Sequence, residues 1–124
     1  MKNYFLKLLA IFCFIFCFVE TVYAKSEVNV YSYRQPILIN PFFDEFTKTT
    51  GIKVNVLHAK KGLLERVISE GANTPADLVL TSDIARLSQF VQNDLLMEIS
   101  SDILNKNIPS YLRDSNNKWF ALSK

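Results

Sequence analysis

The sequence predicts an α/β fold with a parallel, doubly wound sheet, because three strand-like runs alternate with helical patterns. The runs are short, rich in β-branched and aliphatic residues, and bounded by turn formers: Val28–Tyr33, Lys53–His58 and Asp77–Thr81. The resulting β-α-β-α-β-α order requires right-handed crossovers, which place helices on both faces of the sheet. Residues 25–124 are enough for one small domain.

The N-terminal segment, residues 1–24, has the features of a secretory signal. Lys2 and Lys7 precede an unbroken apolar run, and the segment ends in Val22-Tyr23-Ala24, which suits a signal peptidase. The run is shorter than the roughly 20 residues that a membrane-spanning helix needs. We therefore expect cleavage after Ala24 and a periplasmic product. The alternative is an uncleaved anchor, which would make the chain a membrane-tethered interaction protein.

Composition excludes several classes of function for residues 25–124. Both cysteines, Cys13 and Cys17, lie in the signal segment, so the remainder has no disulfide, thiolate metal site or cysteine nucleophile. The formal net charge of the whole chain is +2, of which the signal segment carries +1. A nearly balanced charge gives no reason to expect nucleic acid or an anionic membrane as a partner.

Helix signals separate the predicted strands. The first helix is expected to begin at Asn40-Pro41, with asparagine as N-cap, and to end at Gly51 as a left-handed cap. The second runs from near Gly62 to Gly71, and the third follows the N-cap sequence Ser82-Asp83. The apolar side chains expected to face the sheet recur at helical spacing: Ile39, Phe42, Phe43 and Phe46; Leu63, Leu64, Val67 and Ile68; and Ile84, Leu87, Val91 and Leu95.

The C-terminal part carries weaker signals. A short helix is expected at Asp102–Asn107, ended by Pro109, and Lys118–Ser123 is typical of a strand in which Trp119 and Phe120 belong to the core. The sequence stops directly afterwards, and half of a doubly wound domain would leave a sheet edge and an apolar helix face uncovered. We expect the domain to be truncated; a naturally small domain is the alternative.

The candidate site is the edge formed by the carboxyl ends of the strands, where open α/β sheets bind ligands. Segments 32–35, 59–62 and 81–83 lead there into helix N-termini, which attract anions. Tyr33 could be a phenolate ligand, a hydrogen-bond donor, or an aromatic cover for the sheet. Arg34 could grip an anion or form a surface ion pair, and Gln35 and Ser82 are further candidates for anion binding.

Other polar residues near this edge have plain structural interpretations. Tyr31 lies deeper in its strand and is expected in the core. Lys60 and Lys61 are typical of a solvated loop, and Asp83 of an N-cap. His58 is the only histidine and has no partner at metal-ligand spacing. No catalytic motif is present, so the sequence predicts neither an enzyme nor a catalytic cofactor.

A family resemblance adds to these observations. The segments VNVYSYRQP, EFTKTTGIKVNV, AKKGLLERV, SEGANTPADLVLTSDIARL and NIPSYLRD…KWFALS occur in order over residues 28–123. Together they resemble the N-terminal part of periplasmic ferric-iron-binding proteins, the solute receptors of bacterial iron ABC importers. The resemblance implies a hinged receptor with a two-lobed, type II periplasmic-binding-protein fold, of which this chain supplies most of the N-terminal lobe and stops before the second.

The resemblance also implies a ligand and a partner. The family holds Fe³⁺ mainly through tyrosine phenolates, with or without a synergistic anion such as carbonate, and delivers it to a permease in the inner membrane. Fe³⁺ is a hard cation that suits an anionic oxygen donor, so Tyr33 is the one ligand that transfers to this chain. The full-length family is expected to be monomeric.

This sequence departs from the family pattern in two ways. Gln35 stands where some relatives carry a histidine near the first loop, and the family's other ligand tyrosines lie beyond residue 124. We therefore expect a truncated or degenerate copy that binds Fe³⁺ weakly alone. The alternative for the same fold is a receptor for another small anion or an organic cation.

Overall fold

The computed structural model describes residues 26–122, so the predictions for the signal segment, Ala24 and Ser123 lie outside the described residues. In this range the order is β1 (Glu27–Ser32), α1 (Pro36–Thr50), β2 (Lys53–His58), α2 (Leu63–Glu70), a 3₁₀ turn (Gly71–Asn73), β3 (Leu78–Leu80), α3 (Ile84–Gln92), α4 (Asp102–Asn107) and a second 3₁₀ turn (Ser110–Leu112). Within residues 26–122 no helix is long and apolar enough to cross a membrane.

The three strands form one parallel sheet in the order β2-β1-β3. The prediction of β2 is confirmed residue for residue, whereas β1 ends at Ser32 and β3 is shorter than expected. In the register of the sheet Ser32 pairs with His58 on one side and with Leu80 on the other. All three carboxyl ends are therefore level, and the three loops that follow them leave the sheet side by side.

Both faces of the sheet are covered, as a doubly wound arrangement requires. Consecutive residues of a strand point to opposite faces, yet Val30 and Tyr31 are both buried. Tyr31 belongs to a buried cluster with Leu63 and Val67 of α2 and Phe90 of α3. The opposite face carries Val30, and α1 packs along β2. The right-handed crossovers of order β2-β1-β3 place α1 and α2 on opposite faces.

The predicted start of α1 is wrong. The helix begins at Pro36, with Gln35 as N-cap, and Pro41 lies inside it. Pro36 occupies the first helical position, where an N–H has no intrahelical partner. Pro41 lies in the second turn, where its missing N–H leaves the Ile37 carbonyl without its i→i+4 donor. The C-terminal prediction is confirmed: Gly51 has φ 74°, and its N–H donates to the Thr47 carbonyl at 2.8 Å.

Several side chains predicted to face the sheet are instead exposed. On α1 only Ile39 is buried, whereas Phe42 and Phe46 are exposed. With the helix starting at Pro36, Ile39 and Phe43 share the inner face, and Phe42 is turned about 100° away from Phe43. Ile68 of α2 and Ile84 of α3 are also exposed, because no part of residues 26–122 packs against the helix faces that carry them.

Helix α3 has a different inner anchor from the one predicted. Its N-cap is Asp83 as expected, and the carboxylate accepts from the Arg86 N–H at 2.8 Å. Phe90, which the sequence prediction omitted, is the buried side chain of this helix, with only 1% of its surface exposed. Its position is seven residues beyond the N-cap, where it fills the space between Tyr31 and α2.

The C-terminal part is mostly helix and turn. Helix α4 is confirmed with the predicted bounds, and Ser101 caps its first turn. The predicted strand at Lys118–Ser123 is wrong within the described residues, because Phe120 forms only an isolated antiparallel bridge with Arg113. A tight turn that ends at Asn117, with φ 55°, brings these two residues together. Trp119 and Phe120 are only partly buried.

Candidate functional site

The candidate site lies at the carboxyl edge of the sheet, where three loops are joined by backbone hydrogen bonds. The Tyr33 N–H, just past β1, donates to the Leu80 carbonyl at the end of β3 at 2.9 Å. On the other side the Ala59 N–H donates to the Ser32 carbonyl at 3.1 Å. The edge is therefore a continuous platform, on which the first residues of the three loops stand in fixed relation to one another.

Tyr33 stands at the centre of this platform. Its ring is half-buried and packs against the cluster of Tyr31, Leu63, Val67 and Phe90. Its hydroxyl oxygen accepts a hydrogen bond from the Leu64 N–H, in the first turn of α2, at 3.0 Å. This amide is one of the four at a helix start that lack an intrahelical partner. The phenol oxygen is thus held at the positive end of α2, with lone-pair capacity left over.

The Arg86 side chain lies over the ring of Tyr33 and also contacts the loops after β2 and β3. Its guanidinium carbon lies 4.4 Å from the ring centroid, which is cation–π geometry. The same guanidinium donates to the Lys60 carbonyl at 3.0 Å and lies 3.4 Å from an Asp83 carboxylate oxygen. One side chain on α3 therefore contacts the loops after β1, β2 and β3.

Arg34 and Gln35 flank Tyr33 in sequence but lie outside this set of contacts. The Arg34 side chain is exposed and, within residues 26–122, forms no ion pair, so the surface salt bridge considered above is not found there. Its backbone is fixed by the buried Ser32 hydroxyl, which exchanges hydrogen bonds of 3.0 Å with the Arg34 N–H and carbonyl. Gln35 is exposed and serves α1 through its backbone alone.

The other predicted polar residues divide between structure and surface. Ser82 is exposed, and its hydroxyl lies 3.4 Å from an Asp83 carboxylate oxygen. Lys60 and Lys61 are exposed, in accord with a solvated loop. His58 ends β2, and its Nδ1 is enclosed without a hydrogen-bond partner in the described part of the chain.

The neighbouring tyrosine has a different environment. Tyr31 is buried and its hydroxyl donates to both oxygens of Glu70, at 2.9 and 3.0 Å, while the Arg66 guanidinium stands 5.4 Å from the ring centroid. The Thr74 hydroxyl, Arg66 and Tyr31 all donate to Glu70, and they lower the pKa of this carboxyl, the Thr74 bond most strongly. Tyr31 is thus a core residue, as predicted.

The described residues offer oxygen donors at this edge but no conventional metal cluster. Residues 26–122 contain no group of three or more His, Cys, Asp or Glu side chains arranged to hold a metal ion. A phenol held by an amide and a cation is instead suited to donate one oxygen to a ligand that also receives donors from elsewhere.

Sequence reasoning missed Arg86 as a member of the site. The signal that could have found it is the Asp83-x-x-Arg86 spacing, which places an arginine one turn after an N-cap at the carboxyl end of a strand. A side chain in the first turn of a helix lies at the same level as the loops that precede the helices. The motif therefore indicated both the cap and the cation.

Comparison with known proteins places this chain in a family. The model of the bacterial extracellular solute-binding protein family matches residues 31–124. Iron uptake protein A1 of Synechocystis sp. is 42% identical over 106 residues, which are 85% of this chain and 29% of that protein. The names of this and the other similar proteins describe uptake and binding, and none names an enzyme.

Solved structures agree with this match. Ferric iron-binding protein A of Mannheimia haemolytica, in an open conformation, is 56% identical with a TM-score of 0.75, covering 77% of this chain and 30% of its own length. The Trichodesmium protein IdiA (FutA), in complex with iron and citrate, is 44% identical with a TM-score of 0.71, covering 76% and 30%.

These alignments confirm the predicted fold and define the extent of the likeness. The parallel sheet with its covering helices corresponds to part of the periplasmic-binding-protein fold of these structures. The chain spans about 30% of the length of the proteins that it matches. The family match covers Tyr33, Ser82 and Arg86, the residues of the carboxyl edge. The chain therefore belongs to the bacterial extracellular solute-binding protein family.

Proposed function

We propose that this chain provides the first-lobe half of a site that captures Fe³⁺ in the periplasm for an ABC importer. The observation that carries the proposal is the placement of Tyr33, a phenol held at the carboxyl edge within a segment similar to ferric-iron-binding proteins. Fe³⁺ is the transported cargo in this proposal and not a resident cofactor. Delivery to an inner-membrane permease is part of the same proposal and is supported by membership of the solute-binding protein family.

The chemistry of the phenol supports a ferric cargo. Fe³⁺ is a hard, highly charged ion that favours anionic oxygen donors, and binding it would displace the hydroxyl proton of Tyr33. The Leu64 N–H does not compete with the metal, because a phenolate oxygen can accept a hydrogen bond and donate a lone pair at once. This amide would instead keep the oxygen oriented while the proton is lost.

An anion completing the coordination of the metal is a further part of the proposal. Arg34, Gln35 and Ser82 are exposed next to the edge and supply a cation, an amide and a hydroxyl. The N-terminus of the long helix α1 lies directly after Gln35, and helix N-termini favour negative charge. The citrate in the Trichodesmium complex is consistent with an anion that accompanies iron in such a site.

A segment exchange tests the proposed cargo. Residues 26–122 would replace the corresponding segment of Mannheimia haemolytica ferric iron-binding protein A, which supplies the rest of the receptor. We expect the exchanged receptor to bind Fe³⁺ with a phenolate-to-iron absorption band. Changing Tyr33→Phe in it should weaken binding by at least about tenfold, equivalent to about 1.4 kcal/mol, because one anionic donor is lost.

Two results would contradict the proposed function. A folded exchanged receptor that binds sulfate or a quaternary ammonium ion in preference to Fe³⁺ would select the alternative solute class. Unchanged iron affinity and absorption in Tyr33→Phe would remove Tyr33 from the site. The unmodified Mannheimia protein serves as the positive control, and circular dichroism verifies that each variant folds.

The 124-residue chain by itself should bind Fe³⁺ weakly. Its one proposed ligand is Tyr33, whereas the ion prefers about six donors, and Tyr31 is occupied by Glu70 in the core. Titration with ferric nitrilotriacetate, followed in the visible range, should give no tight stoichiometric band. A stable one-to-one complex with a strong band would contradict this expectation. N-terminal sequencing of the exported product tests the cleavage site, which we expect to leave Lys25 first.

A further inference from the structure

We propose that Arg86 is a positioning residue that fixes the phenol of Tyr33 in the orientation required by the ligand. The inference rests on the proposed function, because it deepens the role of Tyr33 in that site. It assigns to Arg86 a task that no sequence motif specified: to hold the ring plane while a separate group holds the oxygen.

The first argument is the number of loops that Arg86 joins. Its guanidinium stacks on Tyr33 at 4.4 Å, donates to the Lys60 carbonyl at 3.0 Å, and lies 3.4 Å from the Asp83 carboxylate. Asp83 also accepts from the Arg86 N–H at 2.8 Å, so both ends of the arginine are anchored to the cap of α3. A planar guanidinium with five donors can make such contacts together, which an ammonium cannot.

The second argument is that two independent groups restrain one phenol. The Leu64 N–H of α2 fixes the hydroxyl oxygen at 3.0 Å, whereas Arg86 of α3 fixes the plane of the ring. Neither contact alone determines both the position of the oxygen and the direction of its lone pairs. A donor that is held before the ligand arrives loses less conformational freedom on binding, and this raises affinity.

The third argument is charge. The guanidinium of Arg86 is a cation, and it stands beside the ring of the phenol that would lose its proton to a metal ion. Within residues 26–122 the carboxylate in contact with Arg86 is Asp83, which lies on the helix side and not on the phenol oxygen. The cation thus remains close enough to compensate an anionic ring.

The test uses the full chain and nuclear magnetic resonance with labelled tyrosine rings. Arg86→Met keeps the length of the side chain but removes the fork and the charge, and Arg86→Lys keeps the charge alone. Arg66→Met is the matched control, because Arg66 stands over Tyr31 in the same manner, 5.4 Å from the ring centroid. Two readouts are measured in the chain itself: the flip rate of the Tyr33 ring and hydrogen exchange of the Leu64 amide. The third, the shift of the Tyr33 ring signals on addition of gallium(III) nitrilotriacetate, is measured in the exchanged receptor described above, with the same Arg86 and Arg66 substitutions.

We expect Arg86→Met to accelerate both ring flipping and Leu64 exchange by a factor of about three to ten, as loss of a cation–π contact predicts. The gallium-induced shift of Tyr33 should shrink in parallel, with an intermediate result for Arg86→Lys. Arg66→Met should leave all three Tyr33 readouts unchanged. If Arg86→Met does not fold, Arg86→Lys is judged by the same readouts.

Unchanged flipping and exchange at Tyr33 in a folded Arg86 variant would overturn the inference. Equal changes in Arg86→Met and Arg66→Met would also overturn it, because they would indicate a general loss of stability. If the ring signals of Tyr33 in the exchanged receptor do not shift with gallium(III) nitrilotriacetate, the ligand role of Tyr33 fails, while the flipping and exchange rates still decide whether Arg86 positions the ring. The two failures are therefore distinguishable.

Discussion

Tyr31 in β1 and Tyr33 just after it each lie beneath an arginine side chain, but the two arginine–tyrosine pairs differ in the hydrogen bond that the phenol makes. In one, Arg66 stands over Tyr31 at 5.4 Å and the phenol donates a hydrogen bond to Glu70. In the other, Arg86 stands over Tyr33 at 4.4 Å and the phenol accepts a hydrogen bond from the Leu64 amide. The residue types match, but the direction of the hydrogen bond is reversed.

The difference shows that the partner of a hydroxyl, more than its residue type, separates a core tyrosine from a candidate ligand. If Tyr31 lost its proton, a phenolate would face a carboxylate about 3 Å away, and the two anions would repel each other. The Tyr33 hydroxyl accepts from an amide, a guanidinium lies over its ring, and no carboxylate is hydrogen-bonded to it within residues 26–122. The two tyrosines also differ in exposure, since Tyr31 is buried and Tyr33 is only partly buried.

Alanine substitutions should separate the two residues most widely. Tyr31→Ala removes a side chain that is only 3% exposed and leaves Glu70 with one donor fewer, so we expect a loss of about 3–5 kcal/mol in the free energy of unfolding. Tyr33→Ala should cost less, about 1–2 kcal/mol, because its ring is partly in solvent. Urea unfolding followed by the fluorescence of Trp119 measures both. Equal losses in the free energy of unfolding would contradict the distinction between a core tyrosine, Tyr31, and an edge tyrosine, Tyr33.

Phenylalanine substitutions sharpen the comparison, since they delete only the hydroxyl. Each should cost about 0.5–1.5 kcal/mol in the free energy of unfolding, because one hydrogen bond is lost in either case. Their effects on Fe³⁺ should diverge: in the exchanged receptor Tyr33→Phe weakens binding and Tyr31→Phe does not. If a fully folded Tyr31→Phe receptor bound Fe³⁺ more weakly than the unaltered receptor, Tyr31 would also contribute to the ligand site, and the distinction would not hold.

The sheet was predictable from sequence because its strands are local apolar runs with clear ends. The predicted ends of β2, Lys53 and His58, are also its ends in the structure. Gly51 could be assigned as the C-cap of α1 because a residue with left-handed backbone geometry is most often glycine. The start of α1 was not predictable in this way. Pro36 and Pro41 both satisfy the local rule, and only packing against the sheet decides between them.

The site was predictable in part for the same reason. Tyr33 could be placed at the carboxyl edge because it directly follows a strand, and Asp83 because capping is a local interaction. The spacing from Asp83 to Arg86 indicates that the cation lies at the carboxyl edge, but it does not specify contact with Tyr33, because the two residues are far apart in sequence. The exposure of Phe42 was missed because helical spacing gives the angle between side chains but not the extent of the layer that covers them.

The smallest expected effect concerns acid, and it should appear in the Tyr31 pair alone. Hydrogen bonds from Thr74, Arg66 and Tyr31 hold the pKa of Glu70 below its ordinary value of 4.5. A carboxyl whose pKa is lowered by folding stabilises the protein above its unfolded value, and this contribution is lost as pH falls through the lower, folded value. Since Arg66 is half exposed, the gain is modest.

Comparison of the unaltered chain with Glu70→Gln isolates this contribution. Near neutral pH the unaltered chain should be the more stable, and the difference in the free energy of unfolding should shrink as pH falls below 4.5. The same difference measured between Tyr33→Phe and the unaltered chain should not change over this range, because no carboxylate contacts that hydroxyl within residues 26–122. If acid reduced both differences equally, the two phenols would share one electrostatic environment, and the contrast between a core tyrosine that donates a hydrogen bond and an edge tyrosine that accepts one would not hold.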